Sequence, residues 1–170
     1  VWITEDAGNR WRISRMGLPS IPVQALLCPE GWEGNWFLGG RRGIYRSRNQ
    51  GGTWEPVAGN LGAQDITSLI VIPGAAKAPA SRTAGPDQAG NAENSQAVQS
   101  LAEMLRGQVN RGKFLLLAAE ALSGDLLVSS DGGAVWQRVP MTRGGSRIWA
   151  LWADRVPGVR LFAGTASDGI

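Results

Sequence analysis

With 170 residues, 43% of them apolar and eight tryptophans, the chain has enough hydrophobic surface for a packed core, which excludes wholesale disorder. Charged residues make up only 18%, there are 24 glycines, and the net charge of +3 rests on arginine, since Lys77 and Lys113 are the only lysines; this balance favours turn-rich β structure and planar, bidentate recognition of carboxylate or phosphate. Histidine is absent, which removes the commonest general base, the usual catalytic triads and most zinc or haem sites, and no run of cations interleaved with aromatics points to nucleic acid.

The chain opens inside a strand-like run, Val1, Trp2, Ile3, Thr4, so a processing signal upstream would fall outside it. No stretch of 18 apolar residues offers a membrane span. Short strands are expected at 11–13, 23–27, 36–46, 54–57 and 66–71. The single cysteine, Cys28, follows Ala25, Leu26 and Leu27 and reads as a small buried hydrophobe rather than a nucleophile; one cysteine forms no internal disulfide. Residues 1–72 thus form one block of strands, 73–112 an insertion, and 113–170 a second block. Within the insertion, 74–94 is a small-residue stretch without hydrophobic period and is expected to be a mobile loop. Residues 95–107 differ: Val98, Leu101, Ala102, Leu105 and Val109 share one helical face, Asn94 or Ser95 can cap it and Gly107 can end it. Such a helix either folds back on its own sheet surface or docks a partner. Strands resume at 116–119, 125–128, 136–139 and 148–152, and 161–170 repeats the run that leads into Gly43 and Ile44.

Three octets match one another. They contain Thr4, Asp6, Gly8 and Trp11; Ser47, Asn49, Gly51 and Trp54; and Ser129, Asp131, Gly133 and Trp136. Each fits hydroxyl-x-Asp/Asn-x-Gly-x-x-Trp, with four short strands per unit. The first two tryptophans are 43 residues apart and the next two 82, the excess being the insertion. A period in the low forties with four strands marks a propeller blade. Physically the octet is a turn: the short Asp or Asn accepts backbone N–H bonds, the glycine takes positive φ, and the tryptophan plugs the turn against the sheet.

The octet resembles the Asp-box, or bacterial neuraminidase repeat, and the resemblance extends to the lead-in Gly43, Ile44, Tyr45, Arg46, Ser47 and to the strand that follows each octet. It implies an all-β fold: a β-propeller of four-stranded antiparallel blades, three to four of them visible, with one helical insertion. Both ends fall inside blades, so the expectation is a sector of a larger ring, either part of a longer polypeptide or a small protein that assembles in several copies. The pattern is most similar to photosystem II stability and assembly-factor-like propellers and to the sortilin ectodomain, covering roughly 1–72 and 113–170. That resemblance implies a non-catalytic role in binding a protein partner, including a subunit of a membrane complex, without cofactor or metal, and an extracytoplasmic location.

In an up-and-down blade the loops alternate sides, which places the octets and the insertion on one face. The opposite face collects Arg15, Arg41, Arg42, Arg143 and Arg147, a partner-binding set suited to carboxylates or an acidic protein surface. Enzymes share the repeat too. Sialidases with Asp-boxes use an arginine triad, a tyrosine nucleophile with a glutamate, and an Arg-Ile-Pro signature; that signature is missing, and Tyr45 lies mid-strand where packing explains it. Xyloglucan-hydrolysing propellers share the lead-in and use two carboxylates, for which Asp65, Glu120, Asp125 and Asp168 lie on the suitable face. A carbohydrate-active hydrolase is therefore the alternative to protein binding.

Overall fold

The structure, a computed structural model, describes residues 1–32, 34–57, 63–72, 99, 101, 103, 107, 114–141, 146–154 and 160–166. These carry β1 (Trp2–Ile3), β2 (Arg12–Ile13), β3 (Val23–Leu27), β4 (Trp36–Gly40), β5 (Gly43–Ser47), β6 (Glu55–Pro56), β7 (Ile66–Ile72), β8 (Leu115–Glu120), β9 (Leu126–Ser129), β10 (Gln137–Val139), β11 (Ile148–Asp154) and β12 (Arg160–Thr165). Consecutive strands pair antiparallel into two complete four-stranded blades, β3 to β6 and β7 to β10, flanked by the two-stranded sheets β1–β2 and β11–β12. This is the blade order of a β-propeller. Among the described residues no helix is long and apolar enough to cross a membrane.

The repeat holds at the level of register. Ser47 stands opposite Trp36 and Ser129 opposite Leu116, so Phe37 and Leu117 occupy equivalent places. Each blade's first strand also breaks its register at the same point, between Val23 and Ala25, Ile66 and Ser68, and Ile148 and Ala150. Because side chains alternate across a strand, each blade carries two apolar faces, and the core lies between blades. Phe37 and Ile44 of one blade pack on Ile66, Leu116 and Trp136 of the next. Leu117 and Val128 pack on Ile148 and Leu151 of the sheet after that. Polar side chains reinforce the inner seam: Thr67 Oγ1 donates to the Ile148 carbonyl at 2.5 Å, and Ser68 Oγ accepts from Leu151 N–H at 3.1 Å.

All three octets form the same turn. The leading hydroxyl accepts from the glycine N–H: Thr4 from Gly8 at 2.8 Å, Ser47 from Gly51 at 2.8 Å and Ser129 from Gly133 at 2.9 Å. That hydroxyl donates to the side-chain oxygen of Asp6, Asn49 or Asp131, which accepts from backbone N–H groups of Arg10, Thr53, or Ala134 and Val135. The glycines take positive φ as expected, at 96°, 77° and 87°, but the residue before each is left-handed too: Ala7, Gln50 and Gly132, at 56°, 55° and 73°. Two successive left-handed residues reverse the chain in a tighter space than one glycine achieves. Trp54 and Trp136 face the preceding sheet. Trp54 and Trp136 are 4% and 1% exposed there, whereas Trp11, with no described blade before it, is 55% exposed.

Two further expectations meet the structure differently. Cys28 is exposed rather than buried: alternation turns Ala25 and Leu27 into the core, which leaves Leu26 and Cys28 on the other face. Partial burial still pushes its thiol pKa up, against a nucleophilic role. In the insertion, Gln99, Leu101, Glu103 and Gly107 are helical, inside the range expected for the helix. Leu101 is 4% exposed and joins the cluster of Ile72 and Leu115, which sets this helical residue against the chain's own core. The 74–94 stretch, Arg143 and Asp168 lie outside the described residues.

Candidate functional site at the loop end of the blades

The octets close one end of the blades. The other end is formed by the turn between β4 and β5, the hairpin between β8 and β9, and the segments that enter β7 and β11. Backbone bonds join these loops within each sheet, from Ala121 N–H to the Asp65 carbonyl at 2.7 Å and from Ala166 N–H to the Arg147 carbonyl at 3.0 Å.

The β8–β9 hairpin gathers three of the expected carboxylates. Glu120, 2% exposed, ends β8 and caps the hairpin: its carboxylate accepts from Leu122 N–H at 3.1 Å, from Ser123 N–H at 2.7 Å and from the Ser123 hydroxyl at 2.6 Å. Burial pushes the Glu120 pKa up, but the bonds from Ser123, Leu122 and the Asp65 backbone together hold it below its ordinary value of 4.5. It is therefore ionised at neutral pH and has no proton to donate. Asp125 is bound by Arg138 at 2.6 Å, and the same guanidinium reaches the Ser123 hydroxyl at 3.0 Å and Gln64 Oε1 at 2.8 Å. Asp65 completes the group, with its Oδ1 buried and without a hydrogen-bond partner. Two of the three carboxylates are thus engaged in holding loops. Asp65 Oδ1 is a buried oxygen of this group without such a bond.

Arg138, Gln64 and Ser123 were not legible as members of this cluster. The positions equivalent to Arg138 after the other octets are Ile13 and Pro56, so the repeat itself carries no cue to a cation there. Among the described residues no group of His, Cys, Asp and Glu is arranged to hold a metal ion.

The arginines on strands, and Arg48 of the second octet, are paired: Arg12 with Glu5, Arg46 and Arg48 with Glu55, Arg138 with Asp125 and Arg160 with Asp154. Arg10 of the first octet and Arg15 are exposed and form no ion pair among the described residues. Arg41 and Arg42, at the β4–β5 turn, and Arg147, at the entry to β11, are exposed and form no ion pair among the described residues. These three share the loop end. Arg15 is not among them: Ser14 bonds to Gly51 and Trp54, and the Met16 carbonyl accepts from Trp54 N–H at 2.8 Å. The linker therefore crosses beside the second octet before it climbs to β3, and holds Arg15 at the octet end. Tyr45, 8% exposed, packs with Leu38 and Trp54, where its ring serves the core.

No family model and no curated protein matches the chain. Among solved structures, an ancestral GH74 enzyme is similar, with a TM-score of 0.60 at 16% identity over 96% of this chain. The chain spans 18% of the length of that protein. At this identity the likeness concerns the fold, which it supports as a propeller.

Proposed function

We propose that this chain is part of a non-catalytic Asp-box β-propeller that binds a protein partner through the arginine-bearing loop end, as the assembly-factor-like propellers it resembles do. The observation that carries this reading is the gathering of Arg41, Arg42 and Arg147, exposed and without an ion pair among the described residues, at one end of the blades. A guanidinium already bonded to a carboxylate has little to offer a partner, whereas Arg41, Arg42 and Arg147 present planar donors to solvent from loops of separate blades. The partner surface they suit is acidic.

The test is binding to immobilised polyglutamate as a stand-in for such a surface. Combined replacement of Arg41, Arg42 and Arg147 by alanine should weaken binding at least about tenfold, roughly 1.4 kcal/mol, with an unchanged circular dichroism spectrum. Undiminished binding by the folded variant would remove the loop end from the proposal.

A carbohydrate-active hydrolase is the second reading, favoured by the likeness to a GH74 enzyme and by the grouping of Asp65, Glu120 and Asp125 at one hairpin. Release of reducing sugar from β-glucans or sialosides, abolished in an Asp65→Asn variant, would replace the first reading with this one. The commitment of Glu120 and Asp125 to local bonds speaks for the first.

A further inference from the structure

We propose that a groove at the octet end, between the blade β3 to β6 and the blade β7 to β10, binds a neutral sugar.

The groove is lined by Gly31, Trp32 and Asn35 of the β3–β4 loop, Arg46 of β5, and Asp131 and Gly132 of the third octet. It spans the two complete blades, at the end opposite Arg41, Arg42 and Arg147. Its walls are fixed by bonds that need no ligand. Within the loop, Trp32 N–H donates to the Pro29 carbonyl at 3.4 Å and Asn35 N–H to the Trp32 carbonyl at 2.9 Å, while Gln50 N–H ties the loop to its own octet through the Gly34 carbonyl at 3.4 Å. A Cβ on Gly34 would stand 2.9 Å from the Arg48 carbonyl oxygen, so the loop lies closer to that octet than a larger residue permits. The Trp32 ring rests on Phe37 at 6.1 Å between centroids and meets Phe114 edge-on at 5.2 Å, which pins it across the seam between the blades.

Each polar group of the lining keeps a capacity that the fold does not use. Asp131 Oδ1 closes the octet by accepting from Ser129, Ala134 and Val135, and no bond among the described residues engages its other oxygen. In the second octet the equivalent Asn49 turns its amide nitrogen to the Thr53 hydroxyl at 3.1 Å; the third octet has Val135 at that place, which offers no hydroxyl. Arg46 reaches Glu55 through Nε and Nη2, which leaves Nη1. The Asn35 amide and the Trp32 indole N–H have no partner among the described residues.

The groove therefore offers a carboxylate oxygen that only accepts, a guanidinium and an indole N–H that only donate, and an amide that does both. Its charges balance, since Arg46 and Arg48 share Glu55 and Asp131 adds a second carboxylate. A sugar answers all of these groups at once: each hydroxyl donates and accepts, and the C–H face of the ring can rest on the indole.

The test follows the Trp32 indole N–H signal by NMR, assigned with Trp32→Phe, during titration with cellotetraose, mannotetraose and chitotetraose at millimolar concentration. At least one of the three should shift the signal saturably, and tetraglycine, which brings peptide donors and acceptors but no ring, should not. Asn35→Ala combined with Asp131→Asn should weaken the sugar at least about tenfold with an unchanged circular dichroism spectrum. The Asn35 side chain holds nothing in place, and Asp131→Asn keeps the oxygen that closes the octet, as Asn49 does in the second. The proposal is overturned by the absence of a saturable shift with all three sugars, by undiminished binding in the folded double variant, or by tetraglycine binding as tightly as the sugars.

Discussion

At the scale of the residue, the octet turn concentrates its constraints on two adjacent left-handed positions. Glycine at the fifth position was legible from the motif, because all three octets share it. The left-handed fourth position was hidden, since Ala7, Gln50 and Gly132 have no residue type in common. A non-glycine residue at φ near 55° carries a Cβ penalty that glycine escapes. Gln50→Gly should therefore stabilise the protein by about 0.5–1 kcal/mol, seen as a higher urea midpoint. Gly132→Gln should cost a similar amount. Gly51→Ala should cost more, because its Cβ would also stand 2.6 Å from Ile3 Cδ1.

Glu120 belongs to the same scale and makes a prediction in pH. Its folded pKa lies below the ordinary 4.5, so its contribution is fully present above about 4.5 and is lost as pH falls through the folded value. Asp131 acts in the same direction: burial raises its pKa, but bonds from Val135, Ser129 and Ala134 bring it below 3.8. Urea midpoints measured from pH 7 to pH 3 should fall in the unaltered protein. Glu120→Gln should be less stable at pH 7, because its amide nitrogen cannot accept the Ser123 bonds, and should show a flatter acid limb. Parallel curves would mean that Glu120 is not the group titrating.

At the scale of the element, the unit of stability is the interface between blades rather than the blade. Trp11, Trp54 and Trp136 are indistinguishable in the motif, yet only the last two are buried, because burial is supplied by a neighbouring sheet and not by the turn. Trp136→Ala should destabilise by about 3–5 kcal/mol, the range for deleting a buried aromatic. Trp11→Ala, measured in the 170-residue chain where this ring is 55% exposed, should change stability far less. Equal losses in thermal or urea unfolding would contradict the placement of Trp136 between blades. Strand order was readable because period-two runs and turn residues recur with each octet. The side of each face was not, and Cys28 shows why: an apolar run of four looks buried throughout until alternation assigns every second residue to the other face.

At the scale of the whole molecule, the arginines bonded to carboxylates differ from Arg41, Arg42 and Arg147, on which the proposed partner surface rests. Loop alternation groups Arg41, Arg42 and Arg147 at one end of their blades, where the β4–β5 turn and the entry to β11 lie. It could not follow the linker of Arg15, whose path is set by tertiary bonds to Trp54 and Gly51. The paired arginines are mostly exposed, and exposed pairs contribute only about 0.2–1 kcal/mol each. Raising ionic strength from about 0.05 to about 0.5 M shortens the screening length to a few ångströms, which should alter the thermal midpoint by no more than about 2 °C. Binding of polyglutamate by Arg41, Arg42 and Arg147 should fall by about tenfold or more over the same interval, because it depends on attraction between separate charged surfaces. A stability that collapses with salt while binding persists would reverse these assignments: the paired arginines would be holding the sheets together, and the loop end would bind through contacts other than charge.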